Sequence, residues 1–144
     1  MTNSKLFFED VTVGSELPPL VKHPTNAQLF MFSAVTWNSH RIHYDADYAR
    51  GTEGLPNIIV HGPLHGSFLA QVVTDWMGEV GKLKKFSWSN RLPAQPGDVL
   101  TCRGKVTSKD EATRLVECDL LMENQRGERV VRGKATVELQ GRTI

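Results

Sequence analysis

Cysteine is scarce in this chain. Cys102 and Cys118 are the two present, and no C-x-x-C pair occurs. A disulfide framework and a thiolate zinc site are therefore not expected. Each thiol falls in a strand-like stretch and reads as a small buried hydrophobe. Charge of one sign is also lacking. Seventeen Lys+Arg face sixteen Asp+Glu, for a formal charge of +1. That balance argues against a nucleic-acid partner, which calls for a basic excess or stripe. No apolar run reaches the roughly 18 residues of a membrane span. The opening Met1-Thr2-Asn3-Ser4-Lys5 lacks the apolar centre of a secretory leader. Repeats, low-complexity segments and long linkers are absent too. What is present is 144 residues, 40% of them hydrophobic. This is ordinary for a globular chain and fits one domain over 1–144. A soluble, cytoplasmic protein is the expectation.

The two halves differ in period. Residues 1–80 read as mixed and helix-bearing, residues 83–140 as strands. Thr25-Asn26-Ala27-Gln28 has the form of a capping box and predicts a helix fading before Trp37. A short helix follows over Asp45 to Ala49, with Asp45 as cap. Asn57 to Val60 reads as a short buried strand. His61-Gly62 breaks it, and Pro63 suits the first helical position, where its missing N–H costs nothing. Leu64, Phe68, Leu69, Val72, Val73 and Trp76 then form one apolar stripe, and Gly78 closes the helix. Gly66, Ser67 and Ala70 are small, which predicts close packing there. Strands are predicted over Leu83–Ser89, Val99–Thr107, Arg114–Glu123 and Glu128–Leu139. The last two are joined by the loop Asn124-Gln125-Arg126-Gly127. In the final strand Val131, Gly133, Ala135, Val137 and Leu139 share one face and the polar residues the other. A one-sided helix needs a partner layer, so the fold class is α+β, with an antiparallel sheet wrapped over the central helix.

Four of the five histidines, His40, His43, His61 and His65, lie between positions 40 and 65. Imidazole is the side chain that exchanges protons near neutral pH without much tuning. Asn38 to Asp45 packs two imidazoles, a carboxamide, a guanidinium and a carboxylate into eight residues, in a loop between helices. A polar turn with capping side chains would account for the same residues. At Val60-His61-Gly62-Pro63-Leu64 a helix begins. Gly62 and Leu64 can offer amides there, where the helix dipole favours negative charge. A simple helix start is the plainer reading. His61-x-x-x-His65 has zinc-pair spacing but lacks the Glu of HExxH and an evident third ligand, so no metal is expected. Ser67 lacks the G-x-S-x-G context of a nucleophile.

The string Phe32-Ser33-Ala34, Asn38 to Asp45, Tyr48-Ala49 and Val60-His61-Gly62-Pro63-Leu64 resembles the MaoC-like, or (R)-specific enoyl-CoA hydratase, family of hot-dog proteins. Phe8-Glu9-Asp10 with Val13-Gly14 resembles that family's opening strand and turn. The usual signature is Asp, one residue, Asn-Pro, an aliphatic, then His. Here Asn38 stands at the Asp position and His43 at the His position, with His40-Arg41 replacing Asn-Pro. This variant is similar to the fungal-type hydroxyacyl-thioester dehydratase and mesaconyl-CoA hydratase branch.

The resemblance implies a single hot-dog domain around a helix over residues 62–77. It also implies a partner, as homodimer or higher assembly or as hetero-oligomer with a related chain. The implied reaction is hydration of a trans-2-enoyl thioester of CoA, or of acyl carrier protein. No cofactor is required, because hydration is redox-neutral. In this reading His43 is the acid/base, Asn38 holds the water and the Gly62 amide polarises the carbonyl. Asn38 cannot itself remove a proton. The α-carbon proton then returns from His43, His40 or Asp45. His40, Arg41, His61 and Leu64 are expected around the substrate, and Arg41 or Arg50 could pair with a carboxylate or a CoA phosphate. The alternatives are a non-catalytic partner subunit, a hot-dog thioesterase and a structural or ligand-sensing module of the same fold. Thioesterase chemistry commonly uses a carboxylate near the central helix, where the first one here is Asp75, thirteen residues past Gly62.

Overall fold

The computed structural model describes residues 5–143. Met1–Ser4, read above for a leader, lie outside the described residues.

In chain order the elements are β1 (Glu16–Lys22), α1 (Asn26–Val35), α2 (Ala46–Gly51), α3 (Gly62–Met77), β2 (Lys82–Asn90), β3 (Leu100–Asp110), β4 (Leu115–Glu123) and β5 (Arg129–Glu138). The strands form one antiparallel sheet in the order β1-β3-β4-β5-β2. Helix α3 touches every strand of it. Its buried face, Leu64, Phe68, Leu69, Val72 and Val73, meets the inward residues of β3, β4 and β5, including Leu100, Val106, Val116, Met122 and Val137. Cys102 and Cys118 are free thiols in this core, and burial pushes them up to about 11 and about 12. This is the α+β hot-dog arrangement expected above. No helix among the described residues is long and apolar enough to cross a membrane.

The local signals translate directly. Thr25 Oγ1 accepts from the Gln28 amide at the start of α1, and Asp45 accepts from the Tyr48 amide at the start of α2. Gly78, at φ 68, follows the last residue of α3. The β4–β5 loop is pinned by Asn124, whose Oδ1 accepts from the amides of Arg126 and Glu128. In β5 the alternation has two exceptions on the polar face, Val130 and Thr136, both buried. Thr136 turns its hydroxyl outward but is buried, because it donates to the Glu117 carboxylate across the strand pair.

Two expectations need correction, and one strand was not anticipated. Phe8–Asp10 is a 3-10 turn rather than a strand, with Phe8 buried as a plug. The first strand is β1, which carries Pro18 and Pro19 and so lacks two backbone donors. It tolerates them because it lies at the sheet edge and shifts register between Leu17 and Leu20. Asn57–Val60 is not a strand. Ile58 and Val60 are buried as expected, but the amide of Ile59 donates to Ile42 and that of Val60 to Ala94. Those two bonds go to different loops, so no ladder forms.

Candidate active site

The site begins at the first turn of α3. His61 is the N-cap, Gly62 the first helical residue and Pro63 the second, one position later than predicted. The Gly62 amide therefore stands among the unpaired donors of the helix start. Gly62 lines a cavity of about 360 Å³ together with His43, Ile59, His65, Asn90 and Arg91. Leu64, by contrast, is buried in the core.

His43 comes from the 3-10 turn Arg41–His43, which follows α1. Its Nδ1 lies 2.8 Å from the Ile59 carbonyl. A carbonyl only accepts, so Nδ1 carries the proton and Nε2 keeps its lone pair. The ring is buried, and burial pushes its pKa below the ordinary imidazole value, with the bond to Ile59 opposing and His40 adding to the decrease. His43 stacks on His61 with centroids 3.8 Å apart and planes 19° apart. His61 is fully enclosed, and its Nε2 is 2.7 Å from Ser33 Oγ. Burial first, then the neighbouring His43 and His65, push His61 down to about 4. It is thus a neutral ring enclosed behind His43 and does not line the cavity, where the sequence placed it beside the substrate. His40 meets His43 edge-on at 5.9 Å.

The other sequence candidates are placed differently. Asn38 Oδ1 accepts from the His40 amide at 3.2 Å, inside the turn that leads to His43. Its side chain lines a separate hollow of about 200 Å³ with Phe30, Ser33, Trp37 and Tyr44, so it does not share the His43–Gly62 cavity within one chain. Arg41 is committed to Asp45 through Nε (3.0 Å) and Nη2 (2.7 Å) and lies over the Tyr48 ring. Arg50 holds the Pro56 carbonyl. Both guanidiniums brace loops. The Tyr48 amide and Arg41 hold the Asp45 carboxyl below the usual carboxylate range, which leaves no proton on it to give. Among the described residues no group of three or more His, Cys, Asp or Glu could hold a metal ion.

Two partners escaped the sequence reading. Asn90, at the end of β2, accepts through Oδ1 from His65 Nδ1 at 3.1 Å. Trp88 Nε1 donates to the Gly62 carbonyl at 3.1 Å, and its indole covers Gly66. The small residue at 66 was the visible half of that contact. His65 was visible only as half of a metal spacing. Nothing local links either to a strand more than twenty residues on.

A family model described as hydroxyacyl-thioester dehydratase type 2 matches residues 16–96. A mesaconyl-C(4)-CoA hydratase from Chloroflexus aurantiacus is 46% identical over 63 residues, covering 40% of this chain and 22% of that protein. The mitochondrial hydroxyacyl-thioester dehydratase type 2 of Schizosaccharomyces pombe is 32% identical over 72 residues, covering 49% of this chain and 24% of that protein. The matches thus span under a quarter of these curated relatives. The solved (R)-hydratase from A. caviae involved in PHA biosynthesis superposes with a TM-score of 0.82 at 26% identity, covering 91% of this chain and 98% of that one.

Proposed function

Because the chain belongs to the hydroxyacyl-thioester dehydratase type 2 family, we propose that it reversibly adds water to a trans-2-enoyl-CoA, or to the corresponding carrier-protein thioester. The observation that carries this reading is one cavity holding a base of fixed tautomer, His43, and the amide end of α3 at Gly62. With the thioester oxygen at the Gly62 amide, electron density is drawn from the β-carbon and the enolate-like transition state is stabilised. His43 Nε2 takes a proton from the attacking water. The imidazolium then returns a proton to the α-carbon. Asp45, held ionised by Tyr48 and Arg41, has none to give. Asn38 acts through the turn: its Oδ1 fixes the His40 amide, and with it the segment that carries His43. It is a positioning residue in this scheme. A thioesterase is disfavoured, since no Asp or Glu lines the cavity among the described residues.

A second reading, a non-catalytic subunit of a heteromeric dehydratase, draws on Asn38, a carboxamide facing a different hollow. The deciding experiment is loss of enoyl-thioester absorbance over crotonyl-, medium-chain, branched and mesaconyl-CoA, with His43→Ala as control. Turnover that depends on His43 supports the hydratase. No turnover from folded protein would favour the partner subunit.

A further inference from the structure

We propose that Asn90 provides a second donor to the thioester oxygen, beside the Gly62 amide, and that His65 fixes which end of its carboxamide faces that oxygen. This rests on the hydratase reading above.

Asn90 and Gly62 line the same cavity. A Cβ built on Gly62 would lie 2.6 Å from Asn90 Nδ2 but 3.9 Å from Oδ1. The amide end of the carboxamide, not its oxygen, therefore lies against the start of α3. His65 sets this orientation. Its ring is 2% exposed, and Nδ1 is 3.1 Å from Asn90 Oδ1. Burial lowers the pKa of His65 and keeps the ring neutral, and its buried Nε2 has no partner, so the hydrogen sits on Nδ1, where Asn90 Oδ1 accepts it. Turning the carboxamide over would move that hydrogen to Nε2 and leave a buried N–H without an acceptor. Trp88, two residues earlier on β2, clamps the strand to the first turn of α3 through the Gly62 carbonyl. Nδ2 itself donates to no protein acceptor among the described residues. The Gly62 amide and the amide end of Asn90 thus stand at one cavity, and two N–H donors there suit an oxygen that gains negative charge. Gly at 62 is required for this approach, since any side chain would displace the Asn90 amide.

The test compares Asn90→Ala and Asn90→Asp with the parent chain on crotonyl-CoA, and reads the absorbance of bound cinnamoyl-CoA. Donors on the carbonyl draw charge along that conjugated acyl group and move its band to longer wavelength. Loss of one donor lowers kcat by about 10²-fold, with KM within about threefold and a reduced band shift. Asn90→Asp keeps the size and the bond to His65 but aims a carboxylate at the developing charge. Its kcat falls at least as far as that of Asn90→Ala. If Asn90 only anchors His65, Asn90→Asp retains kcat and the full band shift, and the assignment is overturned while the hydratase reading stands. If the parent chain shifts the cinnamoyl band in an Asn90-dependent way but turns over no enoyl-CoA, the donor assignment holds and the hydratase reading falls. No shift and no turnover overturn both.

Discussion

The role proposed for His43 rests on one carbonyl. The Ile59 oxygen takes the hydrogen of Nδ1 and so leaves Nε2 as the basic nitrogen. His43→Ala is expected to lose more than about 100-fold in turnover, the usual worth of a positioned base, with an unchanged circular-dichroism spectrum. Residual activity near that of the parent chain would remove His43 from the mechanism. Because its pKa lies below 6.5 in the folded chain, the base is free at neutral pH. The acid limb of kcat/KM should accordingly fall below pH 6.5, which a pH–rate profile on crotonyl-CoA reads. Asn38→Asp preserves the acceptor that holds the His40 amide, so turnover should be kept or raised. Asn38→Ala removes that acceptor and should cost about tenfold, consistent with one lost hydrogen bond. Equal loss in both variants would mean that the carboxamide hydrogens matter instead. The crowding of histidines marked this region in the sequence. What the sequence did not reveal was the division of labour among them. His61 and His43 differ by which buried atom meets each ring nitrogen, and those atoms come from Ser33 and Ile59.

In the proposed scheme helix α3 joins the core to the chemistry, and two of its glycines separate those duties. A Cβ at Gly66 would lie 2.7 Å from the Trp88 ring, wedged between packed elements. Gly66→Ala should destabilise the fold by about 1–3 kcal/mol, the range for overpacking, as measured by urea unfolding. A Cβ at Gly62 meets only the end of the Asn90 side chain, which can swing away. Gly62→Ala should therefore unfold at nearly the parental urea concentration yet lose most of its turnover. The reverse pattern would place the catalytic contact elsewhere. The bounds of α3 were readable because its stripe, its proline and its closing glycine agree. So were the β4–β5 hairpin and both helix caps, which depend on residues a few positions apart. β1 was not readable, since Pro18 and Pro19 contradict a strand unless its edge position is known. Asn57–Val60 misled in the opposite direction. Burial makes such a run apolar whether or not a neighbour completes a ladder.

Across the whole molecule, enclosing His43, His61 and His65 couples folding to acidity. All three have lowered pKa values, so the unfolded chain binds more protons once the pH drops below 6.5. Stability is fully present above that value and is lost as the pH falls towards 4. His61 alone accounts for roughly 3 kcal/mol of that loss. The urea midpoint should thus drop steeply between pH 6.5 and 4, and a flat midpoint would mean that these rings are not buried in solution. Self-association is expected as well. Phe30, Met31, Val35 and Trp37 on and after α1 are all more than half exposed, with Trp37 at 91%. A patch of that kind marks an interaction surface. Sedimentation at micromolar concentration should give two chains rather than one.

The two borders of the sheet are unlike. β1 presents Pro18, Pro19 and a register shift; β2 also shifts register, between Leu83 and Lys85, but its nine residues carry no proline and its lysines lie in the first half. From Lys85 to Asn90 the β2 border offers a row of backbone groups to another strand, uninterrupted by proline. If two copies join there about a twofold axis, each spends its one extendable border on the other. The joined sheet then ends in β1 at both sides, where missing N–H groups refuse a further strand. In such a pair the prolines that hide β1 from a pattern reader would act as chain terminators for assembly. Growth would then stop at a closed pair instead of running on into a fibre.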